Sequence, residues 1–220
     1  MKKNSQYLAS TAMGKVLFGN SPYGNSMSEK NIKKIKIKDI KEFYNNYSPN
    51  VSELVAVGNI SKEEFYSELD FLRKWENKNI NLPSSFEFPE DNTTQIYLLD
   101  KEGASQSFIL MGHKSNTYDA DGEFFKSQIM NKSLGGGASG RLFLNLREDK
   151  GYTYGAYSFF MGEKQTGVFG IQTSVKTEVT DSALTEIFSI LDNYTNNGIT
   201  SNELKSTKES FLNSASMKYE

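Results

Sequence analysis

The sequence predicts an α+β fold: a largely antiparallel sheet with helices packed against it. Three observations carry that prediction. Short apolar runs alternate along the chain with stretches of helical period. Two pairs of apolar runs are separated only by brief polar turns, the pattern of hairpins. Two helical stretches open on capping boxes, Ser61 with Glu64 and Thr200 with Glu203.

Ser5–Phe18 reads as a helix that ends in the loop GNSPYGN. In the lysine-rich stretch that follows, Ile40, Phe43, Tyr44 and Tyr47 fall at i, i+3, i+4 and i+7, one helical face, and Pro49 stops it. The lysines between them are mixed with Glu29, Asp39 and Glu42, as on a solvated face. ELVAVGN is a short apolar run closed by glycine and predicts a buried strand; residues 61–75 predict a helix. Residues 77–93 are polar, contain Pro83 and Pro89, and form the best linker candidate.

TQIYLLD and SQSFILMGH predict two strands joined by KEGA. Residues 121–134 predict a helix with Phe125, Ile129 and Ser133 on one face, and residues 139–148 a short helix. YTYGAYSFFM and VFGIQTSV predict a second hairpin around GEKQTG. Residues 178–196 give the clearest helix, with Ala183, Leu184, Ile187, Ile190, Leu191 and Tyr194 as its apolar stripe and Gly198 as its stop. A last helix follows the Thr200 capping box through Leu204, Phe211 and Leu212.

Composition narrows the function. Apolar residues make up only 37% of the 220, but 15 Phe and 12 Tyr supply large buried areas. A net charge of −2 argues against a broad nucleic-acid surface. With no cysteine, disulfides and thiolate chemistry are excluded within these residues, while the compartment stays open. One histidine, His113, cannot by itself supply the several imidazole or thiolate ligands of an ordinary zinc site. No run approaches the length of a membrane span. Residues 8–18 start a helical pattern without an obvious cap, and the last helix has no stop signal, so the sequence reads as part of a longer chain.

Gly135, Gly136 and Gly137 raise the question of phosphate binding. A Walker loop needs Lys and Ser/Thr after its final glycine, but Gly140 is followed by Arg141 and Leu142. The dinucleotide fingerprint needs a strand ahead of its glycines, and here a helix precedes them. The glycines read instead as a helix cap and a close-packed turn, with Ser139 capping the next helix. Arg147 lies in the last turn of that helix and Tyr154 seven residues later, with Gly151 permitting a reversal between them. Such a reversal can bring a guanidinium and a phenol to one spot, where both could donate to a peptide carbonyl. Spacing alone favours the ordinary roles, an arginine on a helix dipole and a tyrosine in a sheet. His113, at a strand end, reads as a surface or hydrogen-bonding residue, and GASQS has no activating base nearby in sequence.

LGGGASGRLFLNLREDKGYTYGAYS closely resembles the signature of the C-terminal domain of insulinase/pitrilysin-type metallopeptidases, a family that includes the mitochondrial processing peptidases. Three more stretches resemble that family in the same order: FGNSPYGN its inter-subdomain loop, IKDIKEFYNNYSPNVSELVAVGNIS its crossover helix, strand and glycine, and IYLLDKEGASQSFILMGH its hairpin. The resemblance implies a zinc endopeptidase of two similar halves facing each other across a chamber. One half carries zinc on H-x-x-E-H with a distant glutamate as third ligand. The other contributes an arginine and a tyrosine that bind substrate and stabilise the transition state, and these map onto Arg147 and Tyr154. No H-x-x-E-H occurs in this sequence. By resemblance, residues 1–36 are the tail of one subdomain with a connecting loop, and residues 37–220 are the C-terminal α+β domain, cut short at its end. The implied cofactor is zinc, in the full protein or its partner and not in these residues. The implied partners are a peptide substrate and the facing half, in the same protein or a homologous subunit. The alternative is a non-catalytic half that binds peptides and pairs with an active subunit.

Overall fold

The computed structural model describes residues 4–82, 85–90 and 93–219, with side chains as far as residue 215. Residues 1–3 and Pro83 of the linker candidate lie outside the described residues. The chain divides into two compact units, Met27–Phe86 and the combination of Met1–Ser26 with Glu87–Glu220.

The smaller unit carries the helices α2 (Glu29–Ile32), α3 (Ile37–Tyr44) and α4 (Lys62–Glu68). The Ser61 capping box forms as expected: the hydroxyl accepts from the Glu64 amide, and the Glu64 carboxylate accepts from the Ser61 amide at 3.0 Å. Buried Ser48 ties the end of this unit back to its middle, its hydroxyl accepting from the Lys78 amide at 2.7 Å. The expected strand at ELVAVGN is absent: residues 53–57 form no ladder, and Val55 and Val57 are exposed. An apolar run of this length is a stable strand only with a paired neighbour, and this unit contains no second strand among its described residues. The apolar positions of α3 do share a face, but Ile40, Phe43 and Tyr44 are exposed.

The larger unit is built on three antiparallel strands, β1 (Gln106–Ser115), β2 (Thr153–Gly162) and β3 (Gly167–Lys176), in the order β1-β3-β2. The second expected hairpin is therefore present as β2–β3. The first is not. The Lys101–Ala104 turn closes, with the Ala104 amide on the Lys101 carbonyl at 3.2 Å, but residues 95–100 make no ladder and leave Ile96 and Leu98 exposed. The free partner of β1 is taken elsewhere: β1 pairs along its full length with β3, from Gln106 opposite Lys176 to Ser115 opposite Gly167, so non-local pairing displaces the local hairpin.

One face of the sheet holds the core. The rows Ile109–Thr173–Ala156 and Met111–Ile171–Ser158 run across all three strands. Over them pack Ala183, Ile187 and Tyr194 from α7 (Thr180–Asn197), together with Leu134, Leu142 and Leu146. The stripe read from the sequence is thus the buried face of α7, and Gly198 ends that helix at φ +67 with its amide on the Tyr194 carbonyl at 2.9 Å. On the opposite face β1 admits α1 (Ser5–Phe18) closely: a Cβ at Gly112 would lie 2.3 Å from the Met13 methyl carbon. Helices α5 (Glu123–Leu134) and α8 (Ser201–Tyr219) complete the unit. No helix among the described residues is long and apolar enough to cross a membrane.

Candidate functional site

The glycine-rich segment is a packing device. The amides of Gly135 and Gly136 both donate to the Asn131 carbonyl, at 3.0 and 2.8 Å, closing the end of α5. The Gly135 carbonyl accepts from the Ser158 amide on β2 at 3.0 Å. A Cβ on Gly135 would stand 2.6 Å from that same amide nitrogen, and one on Gly140 would stand 2.8 Å from the Gly135 Cα. Contacts this close exclude any side chain. Gly135→Ala is expected to lower stability by about 1–3 kcal/mol, the usual range for overpacking, and a thermal melt checks it. One expectation needs correction. Ser139 does not cap the next helix: Gly140 precedes its first residue, and no side chain caps that end. The turn is short enough for Gly140 to occupy the capping position itself, its own amide held by the Gly137 carbonyl.

Asn131 was not singled out by the sequence, yet it locks this turn to the sheet. It is buried; its amide nitrogen donates to the Ser158 carbonyl at 3.0 Å, and its oxygen accepts from the Ser158 hydroxyl at 2.6 Å. Gln128 repeats the device one turn earlier, donating to the Phe160 carbonyl at 3.0 Å. β2 is an edge strand of the sheet, so these two carboxamides satisfy backbone groups that would otherwise be open to another chain.

The segment after Gly140 starts as one α-helical turn, α6 (Arg141–Phe143), and continues as a π-type turn, Leu144–Asp149. The Lys150 amide reaches five residues back to the Asn145 carbonyl at 2.9 Å. Such widened turns are rare and recur at functional sites. Gly151 then reverses the chain at φ +65, a conformation an L-residue resists, and the Tyr152 amide closes on the Leu146 carbonyl at 2.9 Å. Leu142 and Leu146 are fully buried and fix the segment against the core.

At the start of β2 the ladder skips a residue: Thr153 faces Val175 and Ala156 faces Thr173, so β2 carries one extra residue. The bulge is pinned by two threonines, with the Thr173 hydroxyl 3.0 Å from the Thr153 hydroxyl and 3.0 Å from the Gly155 carbonyl. It lets Thr153 and Ala156 both point inward although they are three apart, and it turns Tyr154 outward. Bulges re-aim side chains in this way.

The π-type turn and the bulge bring the two expected residues together. The Arg147 guanidinium carbon lies 5.8 Å from the centre of the Tyr154 ring. Tyr154 is 86% exposed and Arg147 is half-buried. Among the described residues, no carboxylate pairs with Arg147, and no group accepts from or donates to the Tyr154 hydroxyl. Arg141, six residues earlier, is the opposite case. Its guanidinium is bidentate on Glu203 at 2.6 and 2.7 Å, donates to the Gly198 carbonyl at 2.9 Å and to Asn193 at 3.1 Å, and lies 4.8 Å from the Tyr194 ring centre. Arg141 is therefore structural, and Arg147 is the arginine whose donors face solvent. The Arg141 bond and the Thr200 amide hold the Glu203 carboxyl down to about 2. Burial pushes the Tyr194 phenol up, against the opposing pull of Ser133 and Arg141.

No three His, Cys, Asp or Glu side chains among the described residues converge on a point that could hold a metal ion. His113 lies on β1 with Nδ1 against the Lys114 carbonyl at 2.6 Å and its ring against Phe169. These residues do not fit a zinc site.

Against known families, the peptidase M16 inactive domain matches residues 34–211. The chain belongs to that family. Among curated relatives, it is 26% identical over 97% of its length to a Helicobacter pylori protein named non-peptidase homolog YmxG. It is 25% identical over 94% of its length to a Bacillus subtilis protein named uncharacterized zinc protease YmxG. The chain spans 50% of each of these relatives, about half their length. Its fold matches a crystal structure of a peptidase M16 inactive domain from Pseudomonas fluorescens with a TM-score of 0.88, at 26% identity, covering 98% of this chain and 52% of that one. The crystal structure of a protease from Helicobacter pylori shares the fold with a TM-score of 0.80, at 20% identity, over 90% of this chain and 49% of that one.

Proposed function

We propose that this chain is the C-terminal region of one half of a zinc endopeptidase, residues 1–36 closing the preceding subdomain and residues 37–220 forming the M16 inactive domain. Its part in the reaction is to grip a peptide with Arg147 and Tyr154, while a metal centre outside this chain, in the same protein or its partner, carries out hydrolysis. The observation that supports this most directly is the contrast between the two arginines. Arg141 has its donors committed to protein groups, whereas Arg147 sits on a rare π-type turn with its donors uncommitted, beside an exposed phenol. A guanidinium fork and a phenol O–H are both donors suited to a carbonyl oxygen, and more so to the oxyanion formed when it is attacked.

A non-catalytic peptide-binding half uses the same pair without turnover, and the Helicobacter pylori relative's name, non-peptidase homolog, favours keeping that second reading. Peptide binding tests what the two share. In the full-length protein or its complex, Arg147→Ala is expected to weaken a fluorescent peptide's affinity about tenfold or more, the scale of a lost charge-assisted hydrogen bond. Unchanged affinity removes Arg147 from the site. Turnover that a chelator abolishes selects the peptidase; binding with no turnover selects the scaffold.

A further inference from the structure

Beyond its approach to the Tyr154 ring, the Arg147 guanidinium makes no bond among the described residues. Its direction is therefore set by the backbone that carries it, the π-type turn Leu144–Asp149. That turn closes through the Lys150 amide on the Asn145 carbonyl, five residues back. A regular helix would place the same amide on the carbonyl four back, that of Leu146. Here the Leu146 carbonyl accepts from the Tyr152 amide instead. Two ways of closing the segment thus compete, and Arg147 points differently in each.

One carboxylate touches both ends of the bond that decides between them. Glu186, half-buried on α7, accepts from the Asn145 side-chain nitrogen through Oε2 at 2.9 Å, and its Oε1 lies 3.6 Å from the Lys150 ammonium. That ammonium also lies 3.3 Å from Asp149. The Asn145 side-chain oxygen is buried and meets no donor among the described residues, so the bond to Glu186 is what fixes the carboxamide. The anchor itself is firm, because Ala183 and Ile187 on either side of Glu186 are fully buried. Around a regular helix, residues five apart stand about 140° from one another, on different faces. A widened turn brings them toward one side, where a single carboxylate can serve both. Glu186 therefore favours the five-residue closure over the four-residue one.

We propose that Glu186 is a positioning residue: by holding Asn145 and Lys150 together, it keeps the turn wide and aims Arg147 at the bound peptide. The inference rests on the peptide-binding reading above, with Arg147 touching the peptide and Glu186 acting only through it.

The experiment is a double-mutant cycle in the full-length protein, read with a fluorescein-labelled peptide of mixed composition. Alanine suits a helix interior, so Glu186→Ala is expected to keep α7 and a cooperative melt. It is expected to weaken peptide binding about three- to tenfold, the scale of one lost hydrogen bond. In the Arg147→Ala background the same change is expected to cost less than about twofold, since the side chain it aims is gone. Hydrogen exchange at the Lys150 amide is expected to quicken in Glu186→Ala, while the Ile171 amide in the central strand keeps its wild-type rate. An equal loss in both backgrounds marks a merely structural role and overturns the inference. So does no loss in either background, or an unchanged exchange rate at Lys150, and each of these leaves the peptide grip standing. A wild type that binds no peptide, or an Arg147→Ala variant that binds as well as wild type, overturns the underlying reading too. If Glu186→Ala fails to melt cooperatively, Glu186→Gln keeps an oxygen for Asn145 but no charge for Lys150, and the same cycle with the same outcomes is run on it.

Discussion

Tyr154→Phe is expected to slow peptide hydrolysis by the full-length protein, or by its complex with the zinc-bearing half, about 10²–10³-fold, the usual cost of one lost oxyanion donor. The loss should fall mainly on kcat, with a smaller rise in KM from the lost ground-state donor, because the hydroxyl matters most when charge develops on the carbonyl oxygen. The structure makes this substitution a clean one. Tyr154 is almost fully exposed, and its hydroxyl bonds to no described residue, so removing one oxygen disturbs no packing. The ring remains beside Arg147, and the bulge that positions it is held by Thr153 and Thr173, not by the tyrosine. A melting temperature matching wild type confirms that the fold is intact. Unaltered kcat would remove the phenol from the chemistry and leave it a binding residue only.

The parts of this site differ in how far the sequence exposed them. Arg147, Gly151 and Tyr154 lie within eight residues, and local rules suffice: a helix end, a glycine reversal, a strand start. The reversal at Gly151 and the approach of the two side chains follow from those rules. The bulge was also legible in principle. In TYGAYS the outward tyrosines are three apart, which breaks the period of two and marks an extra residue between them. Asn131, Arg141 and Glu203 were not legible. Asn131 meets Ser158 across 27 positions, and Arg141 meets Glu203 across 62, so no local pattern links them. Before folding, Arg141 and Arg147 are equivalent residues of one short segment. Only the tertiary contacts show that one is tied and the other open. The two missing strands fail for a related reason: ELVAVGN and TQIYLLD have strand composition, but composition does not supply a partner, and ladders form only where one exists. The β1–β3 pairing, far apart in sequence, could not be inferred from either strand alone.

Arg141→Ala is expected to destabilise the larger unit by about 2–3 kcal/mol, a little below the range for breaking a well-buried pair. The two side chains are 21% and 25% exposed, so the pair is partly shielded from solvent. Losing the guanidinium also releases the Gly198 carbonyl at the end of α7 and the ring contact with Tyr194, whose hydroxyl in turn donates to the Met130 carbonyl of α5. Three helices and the start of the Arg147 segment therefore share this one side chain. The same pair sets a pH dependence. Glu203 is held at about 2 in the folded protein against an ordinary 4.5, chiefly by Arg141. A depressed carboxyl stabilises the fold fully above pH 4.5 and loses that contribution as pH falls toward 2, because the unfolded chain takes up the proton first. Denaturant unfolding should therefore show a stability loss of about 2–3 kcal/mol across that interval from this group. Glu203→Gln should be less stable at neutral pH and should lack this part of the acid slope, since it carries no titrating carboxyl. If the variant keeps the wild-type slope, other carboxylates carry the acid sensitivity and Arg141 is held by its remaining bonds to Gly198 and Asn193.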